Sequence, residues 1–136
     1  MSFLIDTNVI CEFSRPQPNS NVVAWFHQVA NEKLFISVIT LGEIRNGIEK
    51  LASSKRQEKL RMWLEQDLVS WFNDRILTID YSVADRWGRL LNENKRSMPA
   101  IDSLIAATAL HYDLQLVTRN CKDFAIPGLT IINPWI

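Results

Sequence analysis

The chain has 136 residues, 47% of them hydrophobic and five of them tryptophan, with 15 basic and 15 acidic side chains that cancel. That length suits one domain over residues 1–136 with a real core, and that composition excludes a disordered chain. Zero formal charge excludes a global field that draws the chain onto nucleic acid, so any such contact falls to a local patch.

Phe3 to Asp6, in FLID, reads as a strand, and Thr7 to Phe13 as a short helix that the prolines of RPQPN, Arg15 to Asn19, must end. Val22, Val23, Phe26 and Val29 recur at helical spacing, with Asn19 or Ser20 as the cap. Leu34 to Ser37 is a second strand, after which Ser37 or Thr40 opens a helix with Leu41, Ile44, Ile48 and Leu51 on one stripe. A longer helix through Leu60, Trp63, Leu64 and Leu68 breaks near Asp67 or Val69. Ile76 to Ile79 is a third strand, and Ser82 begins a helix with Val83, Trp87, Leu90 and Leu91 inward, which Pro99 stops. Ile101 to Leu110 is helical and rich in alanine, Leu114 to Thr118 is a fourth strand, and Thr130 to Ile132 is a candidate fifth. Strands alternating with helices predict an α/β fold: a mostly parallel sheet of four to five strands, covered on both faces.

No apolar run reaches membrane length, and Asp6 interrupts the first one too early for a signal peptide, so the expectation is a cytoplasmic protein with no membrane partner. Cys11 and Cys121 form neither a disulfide framework nor a zinc spacing, and His27 and His111 are isolated on helices.

In open parallel sheets, ligands bind beyond the carboxyl ends of the strands. Asp6 ends the first strand, Glu43 lies one turn into the helix after the second, Asp102 falls in the first turn of the helix after Pro99, and Asn120 follows the fourth strand with Asp123 three residues on. Each has a plainer reading. Asp6 serves equally well as a helix cap, Asp102 as a first-turn acid favoured by the helix dipole, and Glu43 as a solvated residue, although Thr40 and Gly47 leave space around it. Their coincidence at one edge is the argument. Three carboxylates within about 5 Å repel by roughly 3 kcal/mol per pair at an effective dielectric near 20. A cation relieves that repulsion, and an all-oxygen set suits Mg²⁺ or Mn²⁺ rather than zinc. Such an ion on carboxylates is equipment for hydrolysing a phosphodiester, with Glu43 helping to deprotonate the attacking water.

The segments LIDTNVI, RPQPN, SVITLGEIRNGIEKL, AIDSLIAATAL and LVTRNCKDF, closing on NPW, resemble the PIN-domain ribonucleases, specifically the VapC-type toxins and their FitB-like branch. The resemblance runs from about Phe3 to Trp135. It implies a three-layer α/β/α fold and a Mg²⁺- or Mn²⁺-dependent endoribonuclease that cuts transfer or ribosomal RNA. It further implies a cognate VapB-like antitoxin, a homodimer, and a toxin–antitoxin complex that binds operator DNA through the antitoxin. Asp6, Glu43 and Asp102 match the three acids that hold the metal, and Asn120 stands where a fourth acid is often found. Thr7 and Thr118 match positions that hydrogen-bond around those acids, with Ser103 a weaker candidate, and Asn8 follows Thr7 at the helix start and in the same surround.

Arg119 and Lys122 flank the predicted rim and suit RNA phosphates, whereas the run from Lys55 to Arg61 reads first as a solvated helix face. The aromatics Trp25, Phe26, Trp63, Trp71 and Phe72 exceed what a small core hides, which predicts an antitoxin groove around Trp25 and Trp63 with Arg45 beside it. Two other classes compete. A phosphoacceptor receiver domain would use Asp80, but lacks here the paired acids after the first strand and the lysine after the last. A PIN module that binds RNA or protein with little or no catalysis would follow from the uncharged Asn120.

Overall fold

The computed structural model describes every residue, Met1–Ile136. Its sheet has five strands, all parallel, in the order β3-β2-β1-β4-β5: β1 Phe3–Ile5, β2 Leu34–Ser37, β3 Ile76–Leu77, β4 Gln115–Val117 and β5 Ile131–Ile132. The helices are α1 Thr7–Glu12, α2 Ser20–Gln28, α3 Val38–Glu49, α4 Lys55–Met62, α5 Val69–Phe72, α6 Tyr81–Glu93 and α7 Ala100–His111. No helix is long and apolar enough to cross a membrane.

Burial on both faces explains why the strands show no polar alternation. Phe3, Ile5 and Val117 pack with Val9, Phe26, Ile44, Leu68 and Phe72 on one side, while Leu4 and Leu116 pack with Leu90, Ile105, Ala106, Ala109 and Phe124 on the other. Ala106, Ala107 and Ala109 of α7 are fully buried, and their small side chains let that helix approach the sheet.

Several boundaries differ from the sequence reading for identifiable reasons. The helix after the basic run does not break near Asp67. It widens into a π-helical stretch over Trp63–Leu68 and continues as α5 to Phe72, stopping at Asn73 with φ of 44°. In an α-helix, residues four apart drift around the axis by about 40° per step, so Leu60, Leu64, Leu68 and Phe72 would spiral off the core; one wide turn resets that drift. Leu64, Leu68 and Phe72 are all buried in the result. Helix α6 ends at Glu93, where the Asn94 N–H closes on the Leu90 carbonyl, six residues short of Pro99; Pro99 starts α7 instead, its carbonyl accepting from the Ser103 N–H. Leu51 and Leu91 prove 37% and 47% exposed: Leu51 lies beyond the end of α3, and Leu91 sits about 80° round α6 from Val83.

Candidate active site

The chain lays β2 and β3 on one side of β1, then crosses to lay β4 and β5 on the other. Connections therefore diverge between β1 and β4, and a crevice opens at the carboxyl ends of those two strands. Asp6 and Thr118 stand there, one residue past each strand.

Asp6 is only 5% exposed. Its Oδ1 accepts the Thr7 N–H at 2.8 Å, so the carboxylate does cap α1, while Oδ2 accepts the Thr118 hydroxyl at 2.8 Å and the Asn8 amide at 3.3 Å. Cap and site residue are thus the same residue, because a carboxylate has acceptor sites beyond those three. Burial pushes the Asp6 carboxyl above the ordinary carboxylate range, against the pull of Thr118 and Thr7, and the charge of Glu43 adds to the rise.

Glu43 projects from α3, which Ser37 caps by accepting the Ile39 N–H. Its Oε1 accepts the Thr7 hydroxyl at 2.6 Å, and that hydroxyl stands 3.4 Å from the Thr40 hydroxyl, so Thr7 ties α1 to α3. Gly47 leaves open space one turn on, and a groove of about 240 Å³ runs from Thr7 and Glu43 past Gly47 to Trp63.

Asp102 is half-buried in the first turn of α7, and its carboxylate forms no hydrogen bond. Desolvation, then the charges of Asp6, Asp123 and Glu43, push its carboxyl up to about 6. The four acids therefore share one field, and no Lys or Arg pairs with any of them. They do not form the tight three-carboxylate cluster expected from sequence, since no three acids stand as a ready coordination shell. Hydrogen bonds explain why: Thr7 holds Glu43 against α1, and Thr118 and Asn8 hold Asp6 against β4. The donor set still fits a hard cation, because Mg²⁺ is commonly held by one or two carboxylates and keeps several waters.

Asn120 is exposed beyond β4, its N–H donating to the Thr118 hydroxyl at 3.0 Å. The charge at this end comes from Asp123, which raises Asp102 more than Glu43 does. Ser103 turns away from the acids: its hydroxyl donates to the Ala100 carbonyl and accepts the Trp87 indole N–H at 2.9 Å, bracing the turn that carries Asp102. Asp80, the receiver-type candidate, caps α6 through the Val83 N–H.

The predicted antitoxin groove separates into unrelated places. Trp63 lines the groove beside Glu43, but Trp25 packs edge-on against Phe3 and lines a different cavity with Asn21 and Pro134. Arg45 lines neither, since Glu65 and Glu49 hold its guanidinium at 2.6 and 3.3 Å. The aromatic surplus is largely absorbed by mutual packing of Phe13, Phe26, Trp71 and Phe72. Within the basic run, Arg61 pairs with Glu49 and Glu58.

Asn8, expected with Thr7 at the helix start and around the acids, takes that place. Its amide donates to Asp6 Oδ2 and lies 3.4 Å from the Thr118 hydroxyl, while its Oδ1 accepts the Arg119 N–H at 3.2 Å. Sequence reasoning missed Glu12: it is buried, and accepts Arg15 and the Asn19 N–H, pinning the RPQPN loop.

The PIN domain family model matches residues 3–125. Toxin FitB of Neisseria gonorrhoeae is 38% identical over 135 residues, covering 97% of each chain, and VapC ribonuclease Y4jK of Sinorhizobium fredii is 33% identical over 97% of this chain and 96% of its own. Among solved structures, FitAB bound to an IR36 DNA fragment superposes with a TM-score of 0.90 at 35% identity, over 98% of this chain and 96% of that one. With this site at the switch point of an all-parallel sheet, the chain belongs to the PIN-domain family, among the FitB- and VapC-type toxins.

Proposed function

We propose that this chain is the toxin of a type II toxin–antitoxin pair, acting as one PIN domain over residues 1–136 in the cytoplasm: a Mg²⁺- or Mn²⁺-dependent endoribonuclease that hydrolyses transfer or ribosomal RNA. One observation carries the reading: Asp102 shares a field with Asp6, Glu43 and Asp123, yet has neither a hydrogen bond nor a counter-ion. Unrelieved like charge of that kind is what a divalent cation neutralises.

Asp6, Glu43 and Asp102 would hold the ion, with Asp123 contributing charge at the outer end. When bound, the ion supplies positive charge that stabilises the phosphodiester oxygens as charge builds on them. Asp6 is the fixed point, set by three donors. Glu43 keeps Oε2 free of protein partners and accepts the proton of the attacking water. Arg119 and Lys122 take phosphates along the rim. The similarity to toxins solved with their antitoxins on DNA supports a VapB-like partner and operator binding through that partner; a homodimeric toxin is part of the same proposal.

The test is induction of wild type and Asp6→Asn in a bacterium, with sequencing of new RNA 5′ ends, beside cleavage by the purified proteins with and without chelator. Arrest and new ends with wild type alone, and cleavage that the chelator stops, are expected. Full activity in excess chelator, or in Asp6→Asn, refutes the reading.

A further inference from the structure

Arg119 stands at the rim of the site with a guanidinium that no carboxylate neutralises. Two contacts hold it, one at each end. Its N–H donates to Asn8 Oδ1 at 3.2 Å, and the amide of that same side chain donates to Asp6 Oδ2, so its backbone is registered to the acid through a single residue. Its guanidinium carbon lies 4.9 Å from the centroid of the Trp135 ring. Trp135 is fixed in turn. Its half-buried ring packs against the apolar cluster that contains Phe3 and Val117, its backbone N–H donates to Asn133 Oδ1 at 2.9 Å, and its backbone carbonyl accepts from the Asn21 amide at 2.8 Å.

An exposed arginine normally moves through many rotamers, and ordering it is part of what binding must supply. Here the ring does that ordering in advance. The guanidinium set over the ring has no protein hydrogen-bond partner, and its N–H donors stay available for a bidentate partner such as a phosphate. Lys122, exposed three residues on, adds charge without comparable orientation.

We propose that Trp135 is a positioning residue for RNA, seating the Arg119 guanidinium to take a backbone phosphate beside the one cleaved. This rests on the ribonuclease reading above, but its test reads binding rather than cleavage. The probe is a fluorescein-labelled single-stranded RNA of 12 nucleotides, randomised in sequence, titrated in excess chelator with variants whose folding is checked by thermal melting.

Arg119→Ala is expected to weaken binding about fivefold and to lower the salt slope by about 0.7, the share of one phosphate on a single strand. Trp135→Ala should weaken it about threefold to fivefold, a cation–π contact's share at an exposed site, and Trp135→Phe, which keeps a ring face, by about twofold at most. The two positions should not add: in the Trp135→Ala background, Arg119→Ala should cost no more than about twofold. Arg119→Lys gives a variant that leaves the core untouched; it keeps the charge, loses the planar stack, and should fall about threefold.

Additive effects overturn the proposal, as does wild-type affinity in Arg119→Ala, which would leave the stacked cation to a protein partner. Absence of RNA binding by wild type overturns it as well. Cleavage, started by adding Mg²⁺ to the same samples, separates the two readings. Coupled binding without cleavage sinks the ribonuclease reading alone, and cleavage without coupling sinks the seat alone.

Discussion

Asp6 and Asp102 belong to one site, yet the fold treats them in opposite ways. Asp6 is buried at the end of the central strand and receives three hydrogen bonds; Asp102 is half-buried, receives none, and feels three other acids. The first is held by structure that exists without any ligand. The second is a charge the fold leaves uncompensated, so its stabilisation has to come from outside the chain. The site thus pairs a rigid reference point with an electrostatic vacancy, and each can be removed separately.

The largest effect should come from the rigid member. Asp6→Asn keeps the shape and a good capping residue but removes the charge, and RNA cleavage should fall by about a thousandfold, roughly 4 kcal/mol of transition-state stabilisation. Initial rates under saturating metal measure it, and a variant retaining a tenth of the activity would contradict the reference role.

Asp102→Asn should cost about a hundredfold in the same assay, yet stabilise the metal-free protein. Its carboxyl sits near about 6 in the fold against an ordinary 3.8, so above pH 6 the folded state carries an ionised group less happily than the unfolded state does. The variant should therefore gain about 1 kcal/mol at pH 7, after discounting for solvent screening at a half-exposed group. As pH falls from 6 to 4 the folded wild type takes up the proton first, and the gain should vanish. Urea melts at pH 7 and pH 4 check this; a variant less stable than wild type at pH 7 removes the idea of an uncompensated charge. Added Mg²⁺ should raise the wild-type melting temperature more than the variant's.

A smaller effect is expected of Thr118→Val, an isosteric change at a fully buried position. It deletes the hydroxyl that donates to Asp6 and accepts from the Asn120 N–H, and leaving those partners short should cost about 1–3 kcal/mol of stability. Cleavage should drop about tenfold, as the reference carboxylate loosens. Wild-type kinetics in Thr118→Val would mean that Thr7 and Asn8 suffice to hold Asp6.

The sheet and the edge that carries these acids were legible in the sequence, whereas the contrast between them was not. Alternating strands and helices announced a parallel sheet, and strand ends then placed Asp6, Glu43 and Asp102 at one edge before any coordinate. What stayed hidden depends on contacts between remote segments. Periodicity reports which residues face the core but not the winding, so the wide turn at Trp63–Leu68 was read as a break. Composition counts aromatic rings without saying that Phe13, Phe26 and Trp71 pack on one another, so a groove was inferred from a surplus that the core absorbs. Asn8 carries no charge and fits a helix start, and only the approach of Arg119, 111 residues away, reveals its second bond.

The outer end of the site gives the finest comparison, between Asn120 and Asp123. Asn120 occupies the position where an acid was expected, but its backbone N–H serves Thr118, and none of the raised carboxyls owes its shift to it. Asp123 lies three residues on, its N–H closing the turn on the Asn120 carbonyl at 3.1 Å, while Arg96 brackets the segment through the carbonyls of Lys122 and Asp123. Charge at this end therefore belongs to Asp123, and Asp123→Asn should lower cleavage about fivefold and weaken Mg²⁺ activation by a similar factor. Asn120→Asp adds a carboxylate to a field that already holds four, so it should change cleavage by no more than about threefold while lowering stability slightly at pH 7. Metal titrations of initial rate decide between them. A large gain from Asn120→Asp, with no loss from Asp123→Asn, would show that the outer end is short of a ligand rather than already supplied with one.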